Sequence, residues 1–201
     1  FLIRAKDGNV TGYLEQSVIR DIRKTYGDLF SEQETILAVV LEQIYVETGK
    51  KFIFLIDEWD CVMRERQESE ELQKQYLDFL RNLLKDQPYV ALAYMTGILP
   101  VKKYGRHSAL NMFWEYSMTD KGFFEEYTGF TDTEVQELCE RYNMDFAEAG
   151  NWYDGYCFTE FQHIYNPKSV VEAMLRHRFF NYWTTTETYD ALKVYMDMDY
   201  D

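Results

Sequence analysis

Two adjacent carboxylates, Asp57 and Glu58, follow directly on a run of apolar residues that begins at Phe52. A carboxylate at the end of a strand suits Mg²⁺, because this hard cation prefers oxygen ligands and keeps several of its waters. A second carboxylate beside the first could orient or deprotonate an attacking water molecule. The pair could equally do no more than cap a following helix, where carboxylates favour the exposed N–H groups. The residues alone leave both interpretations open.

Thr96 is the second candidate position, because it ends another mostly apolar run, residues 89–95. Its hydroxyl could contact a phosphate group, or it could belong to an ordinary turn in which the following glycine supplies backbone freedom. The densest basic cluster of the chain comes shortly afterwards and contains Lys102, Lys103 and Arg106. Such a loop could bind phosphate or a nucleic-acid strand. A solvated surface loop that balances neighbouring acids is an equal alternative.

The sequence contains no phosphate-binding loop of the form G-x-x-x-x-G-K-[ST]. Its single Gly-Lys pair, at Gly49, has Ile44 where the first glycine belongs and Lys51 where the hydroxyl belongs. Most of the groups that would hold a triphosphate are therefore missing.

Other catalytic classes find less support. A nuclease site needs carboxylates that are spaced further apart and followed by a catalytic lysine, and the acids at positions 57, 58 and 60 are too close together. His107 and His163 are too isolated to suggest a metal site or a catalytic triad.

Helical spacing of apolar residues predicts three helices in the first half of the chain. The first precedes Gly27, and the second follows a capping-box pattern at Ser31 and Glu34 and ends near Gly49. The third covers residues 72–84.

Two strands are predicted at residues 52–57 and 89–95. Both are apolar at nearly every position, which is typical of a parallel sheet with helices on both faces. A right-handed crossover would make the two strands parallel and bring Asp57 and Thr96 to the same carboxyl edge. Open α/β sheets bind ligands at that edge, so the pattern predicts a shared site.

The pattern changes in the last third of the chain. Thr131 and Glu134 form another capping box, and Asn166 precedes a proline that is well placed to begin a helix. We predict an α/β domain at residues 1–127 and a small all-helical domain at residues 128–201.

The composition limits partners and location. The 201 residues carry a formal net charge of −14, which opposes nonspecific binding to nucleic acid or to an anionic membrane. The three cysteines, Cys61, Cys139 and Cys157, have no metal-ligand spacing and leave an odd thiol, as expected in a reducing cytoplasm. Because no signal peptide or long apolar run is present, we predict a cytoplasmic location without a membrane partner.

Seven short motifs occur in an order that closely resembles the bacterial AAA-ATPase-like family, which is related to the archaeal ATPases and the STAND class. They are FLIDEWD (54–60), YMTGILP (94–100), SALNMF (108–113), EYSM (115–118), TGFT (128–131), WYDGY (152–156) and YNPKSV (165–170). The resemblance runs from about residue 30 to the end of the chain.

This resemblance implies an ASCE-type P-loop ATPase core followed by a helical lid. By the matching motifs, Asp57 and Glu58 would take the Walker B roles, with Asp57 as the Mg²⁺ ligand, and Thr96 would take the sensor position. The family's phosphate loop, first strand and intervening helix should precede Phe1. We therefore expect the chain to be part of a longer protein and to bind ATP weakly or not at all by itself.

The resemblance also implies partners for the intact protein. ATP and Mg²⁺ would be its cofactors, and a downstream restriction-endonuclease-like domain, which many members carry, would bring nucleic acid as a partner. ATPases of this kind often assemble, so a homo-oligomer is a further expectation. Arg106 and Arg141 are the candidates for an arginine finger, although no pattern singles either of them out.

Two alternatives remain open at this point. The chain could be a non-catalytic interaction scaffold that keeps the ATPase fold, which an upstream sequence without a phosphate loop would favour. It could also be a DNA-interacting module that works through the basic loop, in which case its DNA binding must respond to salt.

Overall fold

The computed structural model describes residues 9–101, 110–117, 124–157 and 163–182. The chain forms two compact units, Phe1–Trp114 and Glu115–Asp201. The domain boundary predicted after residue 127 stays a prediction. The carboxylates and the threonine singled out from the sequence all belong to the first unit.

The described part of the first unit contains three longer α-helices and one short α-helix. They are α1 (Val10–Tyr26), α2 (Leu37–Thr48), α3 (Cys61–Glu65) and α4 (Glu70–Leu84). The three longer ones confirm the helices predicted from apolar spacing. Gly49 ends α2 with a φ of 66°, a left-handed conformation that glycine adopts without steric penalty.

The beginning of α2 differs from the predicted capping box at Ser31 and Glu34. The helix begins only at Leu37, after an N-cap residue whose side chain makes no capping bond. The Glu34 carboxylate accepts a hydrogen bond from the Ile36 backbone N–H at 2.9 Å, so it stabilises the turn before the helix. The Leu37 N–H donates instead to Glu15 of α1 at 3.1 Å. Because this partner is distant in sequence, local spacing placed the helix start too early.

Two strands of the first unit pair in parallel, as predicted. They are β1 (Phe52–Ile56) and β2 (Val90–Met95). After an irregularity at the first residue of β1, residues 53–56 pair in register with residues 92–95. Asp57 and Thr96 therefore leave the sheet at the same edge. In the described part of the chain this sheet has two strands, and the wider sheet of a P-loop ATPase stays a prediction.

The core of the first unit lies on one face of this sheet. Phe54 and Ile56 of β1 pack there against a buried cluster that comes mainly from the three longer helices. The members of the cluster are Ile19, Phe30, Leu37, Val40, Leu41, Ile44, Leu83, Leu84 and Tyr89.

The opposite face of the sheet is open, which corrects the prediction that both strands are buried on both faces. Ile53 and Leu55 of β1 and their partners Leu92 and Tyr94 of β2 are exposed, and Leu55 keeps 76% of its accessible surface. The exposed positions are as apolar as the buried ones, so the sequence shows no alternation that would reveal the open face.

In the ranges that the structure describes, the second unit combines three α-helices with a small sheet. In chain order its elements are β3 (Phe130–Thr131), α5 (Asp132–Tyr142), α6 (Phe146–Tyr153), β4 (Asp154–Tyr156), β5 (Ile164–Tyr165) and α7 (Pro167–Arg176). The strands form an antiparallel sheet in the order β3-β5-β4. The prediction of an all-helical second domain is therefore wrong. Strands of two or three residues are too short to give a recognisable apolar period.

Side chains adjacent in sequence begin the helices of the second unit. The predicted capping box of Thr131 and Glu134 is present at α5, with both reciprocal bonds formed. The Asn166 side chain accepts from the Ser169 N–H at 2.9 Å, and Pro167 occupies the first turn of α7, as predicted. The helices and the sheet enclose a separate buried cluster, whose members are Val135, Cys139, Ala149, Tyr153, Tyr165, Val170, Ala173, Met174 and Tyr182.

Candidate functional site

Asp57 and Thr96 are in direct contact at the carboxyl edge of the parallel strands. Each is the first residue after its strand, and the Thr96 hydroxyl donates a hydrogen bond to Oδ1 of Asp57. The same carboxylate oxygen accepts from the Glu58 backbone N–H at 3.1 Å. The Asp57 side chain is exposed, and within the described residues its other oxygen, Oδ2, accepts no hydrogen bond. One face of the carboxylate is thus fixed by the protein while the other faces outward.

Glu58 has an unusual backbone. Its φ of 51° lies in the left-handed region, which costs a residue other than glycine about 1 kcal/mol or more. Its side chain is exposed, and its Oε2 lies 3.4 Å from Nη2 of Arg64. The two neighbouring carboxylates have different partners, because Asp57 contacts Thr96 whereas Glu58 lies near Arg64. Strain of this kind concentrates at functional sites, where the surrounding structure holds it in place.

The alternative that these two acids cap the next helix does not describe the structure. Helix α3 begins at Cys61, its N-cap residue is Asp60, and that residue's side chain makes no capping bond. Asp57 accepts instead from its own neighbour and from the adjacent strand's threonine.

A buried carboxylate, Asp60, lies behind this exposed edge. Its residue is completely inaccessible to solvent, and its Oδ2 accepts from the backbone N–H groups of Ile98 at 3.1 Å and Leu99 at 2.8 Å. Nε of Arg64 donates to the same oxygen at 3.2 Å. Asp60 thus joins the turn after β1 to the segment after β2.

The same two segments are also packed closely at Gly97. A Cβ atom at that position would lie 2.6 Å from Cδ1 of Trp59 and 2.9 Å from Oδ1 of Asp60. Such distances are shorter than real Cβ contacts, so a side chain would force the segments apart. Gly97 is needed for this close approach, because nothing larger fits between the indole and the carboxylate.

The sequence did not assign a role to Asp60 or Arg64. One local signal was present, because positions 60 and 64 lie four residues apart and can pair on the same face of a helix. The burial of Asp60 and its bonds to Ile98 and Leu99 depend on the pairing of β1 with β2, and no local pattern predicts them.

Several predicted residues cannot be placed in this edge. Lys102, Lys103 and Arg106 lie outside the described residues, as does His107. Arg141 is in the last turn of α5, in the second unit. The roles given to these residues, like the catalytic roles of Asp57, Glu58 and Thr96, stay predictions.

The chemistry of the edge is that of oxygen ligands rather than of a nucleophile. Burial is the main cause that raises the pKa of the Cys61 thiol, and the charge of Glu65 raises it further. Because the thiolate is the reactive form, this raised pKa disfavours Cys61 as a nucleophile. In the described part of the chain no three His, Cys, Asp or Glu side chains converge on a common metal position. A single outward carboxylate such as Asp57 suits Mg²⁺, which keeps most of its waters.

Comparison with known proteins agrees with the resemblance drawn from the motifs. Residues 9–105 match the model of a family described as predicted AAA-ATPase. An uncharacterized protein in the vnfD 5′ region of Azotobacter chroococcum mcd 1 is 27% identical over 155 residues. The aligned stretch covers 74% of this chain but only 30% of that relative, so the chain spans about a third of its length.

No solved structure was found to match the chain. None of the helices in the described ranges combines the length and the apolar character needed to cross a membrane. The family match covers the parallel strands and the whole of the edge built by Asp57, Asp60 and Thr96. The resemblance to the AAA-ATPase-like family that the motifs indicate is therefore confirmed over residues 9–105.

Proposed function

We propose that the edge formed by Asp57, Glu58 and Thr96 is the part of an ATP-hydrolysing site that holds the metal and the attacking water. The contact between the Thr96 hydroxyl and the Asp57 carboxylate carries this proposal. It places two oxygen-bearing side chains from adjacent parallel strands at the edge where α/β sheets bind ligands. The family match to predicted AAA-ATPases over the same residues supports ATP as the substrate.

Each residue would have a separate task. Asp57 fits Mg²⁺, because one of its oxygens is held by the protein and the other faces outward. The bound cation would neutralise charge on the phosphates. Glu58, whose side chain is exposed, would orient the attacking water and accept its proton. The Thr96 hydroxyl has a single proton, so it would turn from Asp57 to donate to the terminal phosphate, and this exchange of partners would link the phosphate to the metal ligand.

The site needs a phosphate loop that these 201 residues do not contain. We infer that the loop, with the lysine and hydroxyl that hold the triphosphate, comes from chain outside this sequence. The basic residues Lys102, Lys103 and Arg106 would add phosphate contacts from the segment after β2. By itself the chain should bind ATP weakly or not at all.

Nucleotide titration of two proteins tests this proposal. This chain should show no micromolar ATP affinity, whereas the protein expressed from its whole reading frame should bind and hydrolyse ATP in the presence of Mg²⁺. Micromolar binding by the chain alone would contradict the inference about the missing loop. No binding or turnover by the longer protein would contradict the proposed function.

Substitutions in the longer protein separate the roles. Glu58→Gln should reduce turnover by about 10²–10⁴-fold while ATP still binds, because only the group that handles water is removed. Asp57→Ala should remove the dependence of binding on Mg²⁺. Glu47→Gln, at an exposed position in the last turn of α2, is the matched control and should leave both unchanged.

A non-catalytic scaffold is the second candidate, and one observation favours it. Arg64 approaches the Glu58 carboxylate to 3.4 Å, so the acid that should handle water has a cationic neighbour. If the whole protein binds ATP without hydrolysing it, the scaffold is the better description. If Glu58→Gln leaves turnover unchanged, the role proposed for Glu58 fails.

A further inference from the structure

We infer that Asp60 is a positioning residue, which fastens the segment after β2 to the turn after β1 and so holds Thr96 against Asp57. The inference rests on the proposed function, because positioning matters only if Asp57 and Thr96 act together. Asp60 does not itself face the outward edge, since its side chain is completely buried.

The bonds of Asp60 are directed at the segment that carries Thr96. Its Oδ2 accepts from the N–H groups of Ile98 and Leu99, at 3.1 and 2.8 Å, just after the sensor threonine. Hydrogen bonds that involve a charged partner are shorter and stronger than neutral ones. One carboxylate oxygen therefore holds two successive peptide groups of the segment, while Arg64 holds that oxygen from the other side at 3.2 Å.

Thr96 is held on both sides by these contacts. Before it, the sheet continues, because the Thr96 N–H donates to the Ile56 carbonyl at 2.9 Å and the Trp59 N–H donates to the Thr96 carbonyl at 2.9 Å. After it, Asp60 is the side chain that holds the backbone of Ile98 and Leu99. Without Asp60, the segment would still be restrained by the Trp59 bond to the Thr96 carbonyl but no longer at Ile98 and Leu99, so the hydroxyl would be held less firmly toward Asp57.

A role in local folding alone does not account for this carboxylate. Asp60 is the N-cap residue of α3 but makes no capping bond to that helix. Buried ion pairs can often be replaced by apolar side chains of similar size without loss of stability. An apolar side chain could not replace Asp60 in one respect, because only a hydrogen-bond acceptor can bind the N–H groups of Ile98 and Leu99.

Arg64 extends the same unit to the third functional residue. Its Nε donates to Asp60, and its Nη2 lies 3.4 Å from Oε2 of Glu58. Its side chain keeps only 15% of its accessible surface, whereas that of Glu58 keeps 66%. Asp60 and Arg64 together thus contact both the segment that carries Thr96 and the acid expected to handle water.

The first test measures amide hydrogen exchange at Ile98 and Leu99 in this chain. Asp60→Ala should speed exchange at these two amides by at least about tenfold, because both lose a charged acceptor. Asp60→Asn keeps the shape but not the charge, and should speed it by at least about twofold. Asp21→Asn, which alters an exposed acid paired with Lys24, is the matched control and should change neither amide.

The second test measures ATP turnover in the protein expressed from its whole reading frame. Asp60→Ala should lower kcat, and Asp60→Asn, which keeps an acceptor oxygen, should lower it less. Because Asp60 acts through Thr96, adding Asp60→Ala to Thr96→Val should lower kcat little further. If Asp60 had only a general structural role, the double variant would lose kcat by the product of the two single losses, as independent sites do.

The outcomes can be told apart. The Asn variant should fold even where the Ala variant does not. If exchange at Ile98 and Leu99 is unchanged in it, Asp60 does not hold these two amides, whatever the protein's function. Faster exchange with unchanged or multiplicative kcat losses overturns the positioning role while leaving the proposed function intact. If Asp57→Ala does not alter turnover, the proposed function fails and the positioning role fails with it. The exchange result still decides whether Asp60 holds the amides of Ile98 and Leu99.

Discussion

The candidate site of the first unit and the helix starts of the second unit differ in how far apart in sequence their polar contacts are. At that site the contacts join separate segments, as Thr96 to Asp57 and Leu99 to Asp60 do. The start of α2 likewise depends on Glu15 of α1, whereas Asn9 and Ser69 cap the other two long helices of the first unit locally. In the second unit each helix is begun by a side chain three residues away, in the pairs Thr131 and Glu134, Asp145 and Glu148, and Asn166 and Ser169. The candidate site therefore depends on the assembly of the first unit, whereas the helix starts of the second are local.

This difference has a functional consequence. Contacts between distant segments hold the two strand ends at one edge, so a small change in the packing of the first unit should reach Asp57 and Thr96. A local cap only stabilises the first turn of its own helix. The following changes test how far this contrast holds, beginning with the largest expected effect.

The largest expected difference is in stability, between a substitution in the core of the first unit and one on the open face of its sheet. Ile44 of α2 is fully buried, and Ile44→Ala should lower the free energy of unfolding by about 2–5 kcal/mol, because it leaves a cavity. Leu55 lies on the open face of β1, and Leu55→Thr, which keeps strand propensity, should change it by less than about 0.5 kcal/mol. Urea denaturation, with hydrogen exchange of the first unit's amides, measures both. Equal losses would mean that the open face is covered.

Gly97 tests the close packing between segments. Gly97→Ala should destabilise the first unit by about 1–3 kcal/mol, because its Cβ would lie 2.6 Å from two ring atoms of Trp59. Gly155 of β4 is the matched control: the nearest atom to its Cβ would be the Tyr153 carbonyl oxygen at 3.9 Å, so Gly155→Ala should be nearly neutral. Thermal unfolding measures the stability of both, and faster exchange at the Leu99 amide should accompany only the first. A neutral Gly97→Ala would contradict the close approach.

The same contrast explains which parts of the fold the sequence could predict. Apolar spacing over ten or more residues located the three long helices, and the apolar runs ending at Asp57 and Thr96 located the parallel strands. Local caps at Thr131 and Asn166 were also recognised, because all their atoms lie within a few residues of one another. These features need no knowledge of the rest of the chain.

What the sequence missed depends on tertiary contacts or on very short elements. The start of α2 follows from Glu15 on another helix, and the role of Asp60 follows from the pairing of β1 with β2. The open face could not be predicted, because exposed Leu55 is as apolar as buried Phe54. The candidate site was predicted as an edge shared by Asp57 and Thr96, but the buried carboxylate behind it was not.

The two predicted capping boxes provide a direct test of local against distant contacts. Thr131→Ala should cost α5 about 1 kcal/mol, because the box with Glu134 is formed. Ser31→Ala should change stability by less than about 0.5 kcal/mol, because Ser31 lies in an exposed turn outside α2. Urea denaturation and exchange at the first amides of each helix measure the two effects. A loss for Ser31→Ala as large as for Thr131→Ala would show that the first box does cap α2 in solution.

The smallest expected effect comes from an ion pair of the second unit, between Asp154 of β4 and His163, the residue before β5. Nδ1 of His163 lies 2.6 Å from Oδ2 of Asp154, and this hydrogen bond, followed by the charge of the carboxylate, raises the pKa of the imidazole above its usual 6.5. Asp154→Asn should lower that pKa toward the ordinary value. An NMR titration of the His163 ring protons in the wild type and in the variant measures the difference.

The sign of the pH dependence follows from the direction of this shift. Because the folded pKa of His163 lies above the unfolded value, the pair's contribution to stability is complete below the unfolded pKa and is lost as the pH rises through the folded pKa. The stability difference between the wild type and Asp154→Asn should therefore be present on the acid side of the measured titration and absent on its alkaline side. Both side chains are partly exposed, so the difference should be small and should shrink in high salt. A difference that grows with rising pH would show that the neutral imidazole, and not the ion pair, is what Asp154 stabilises.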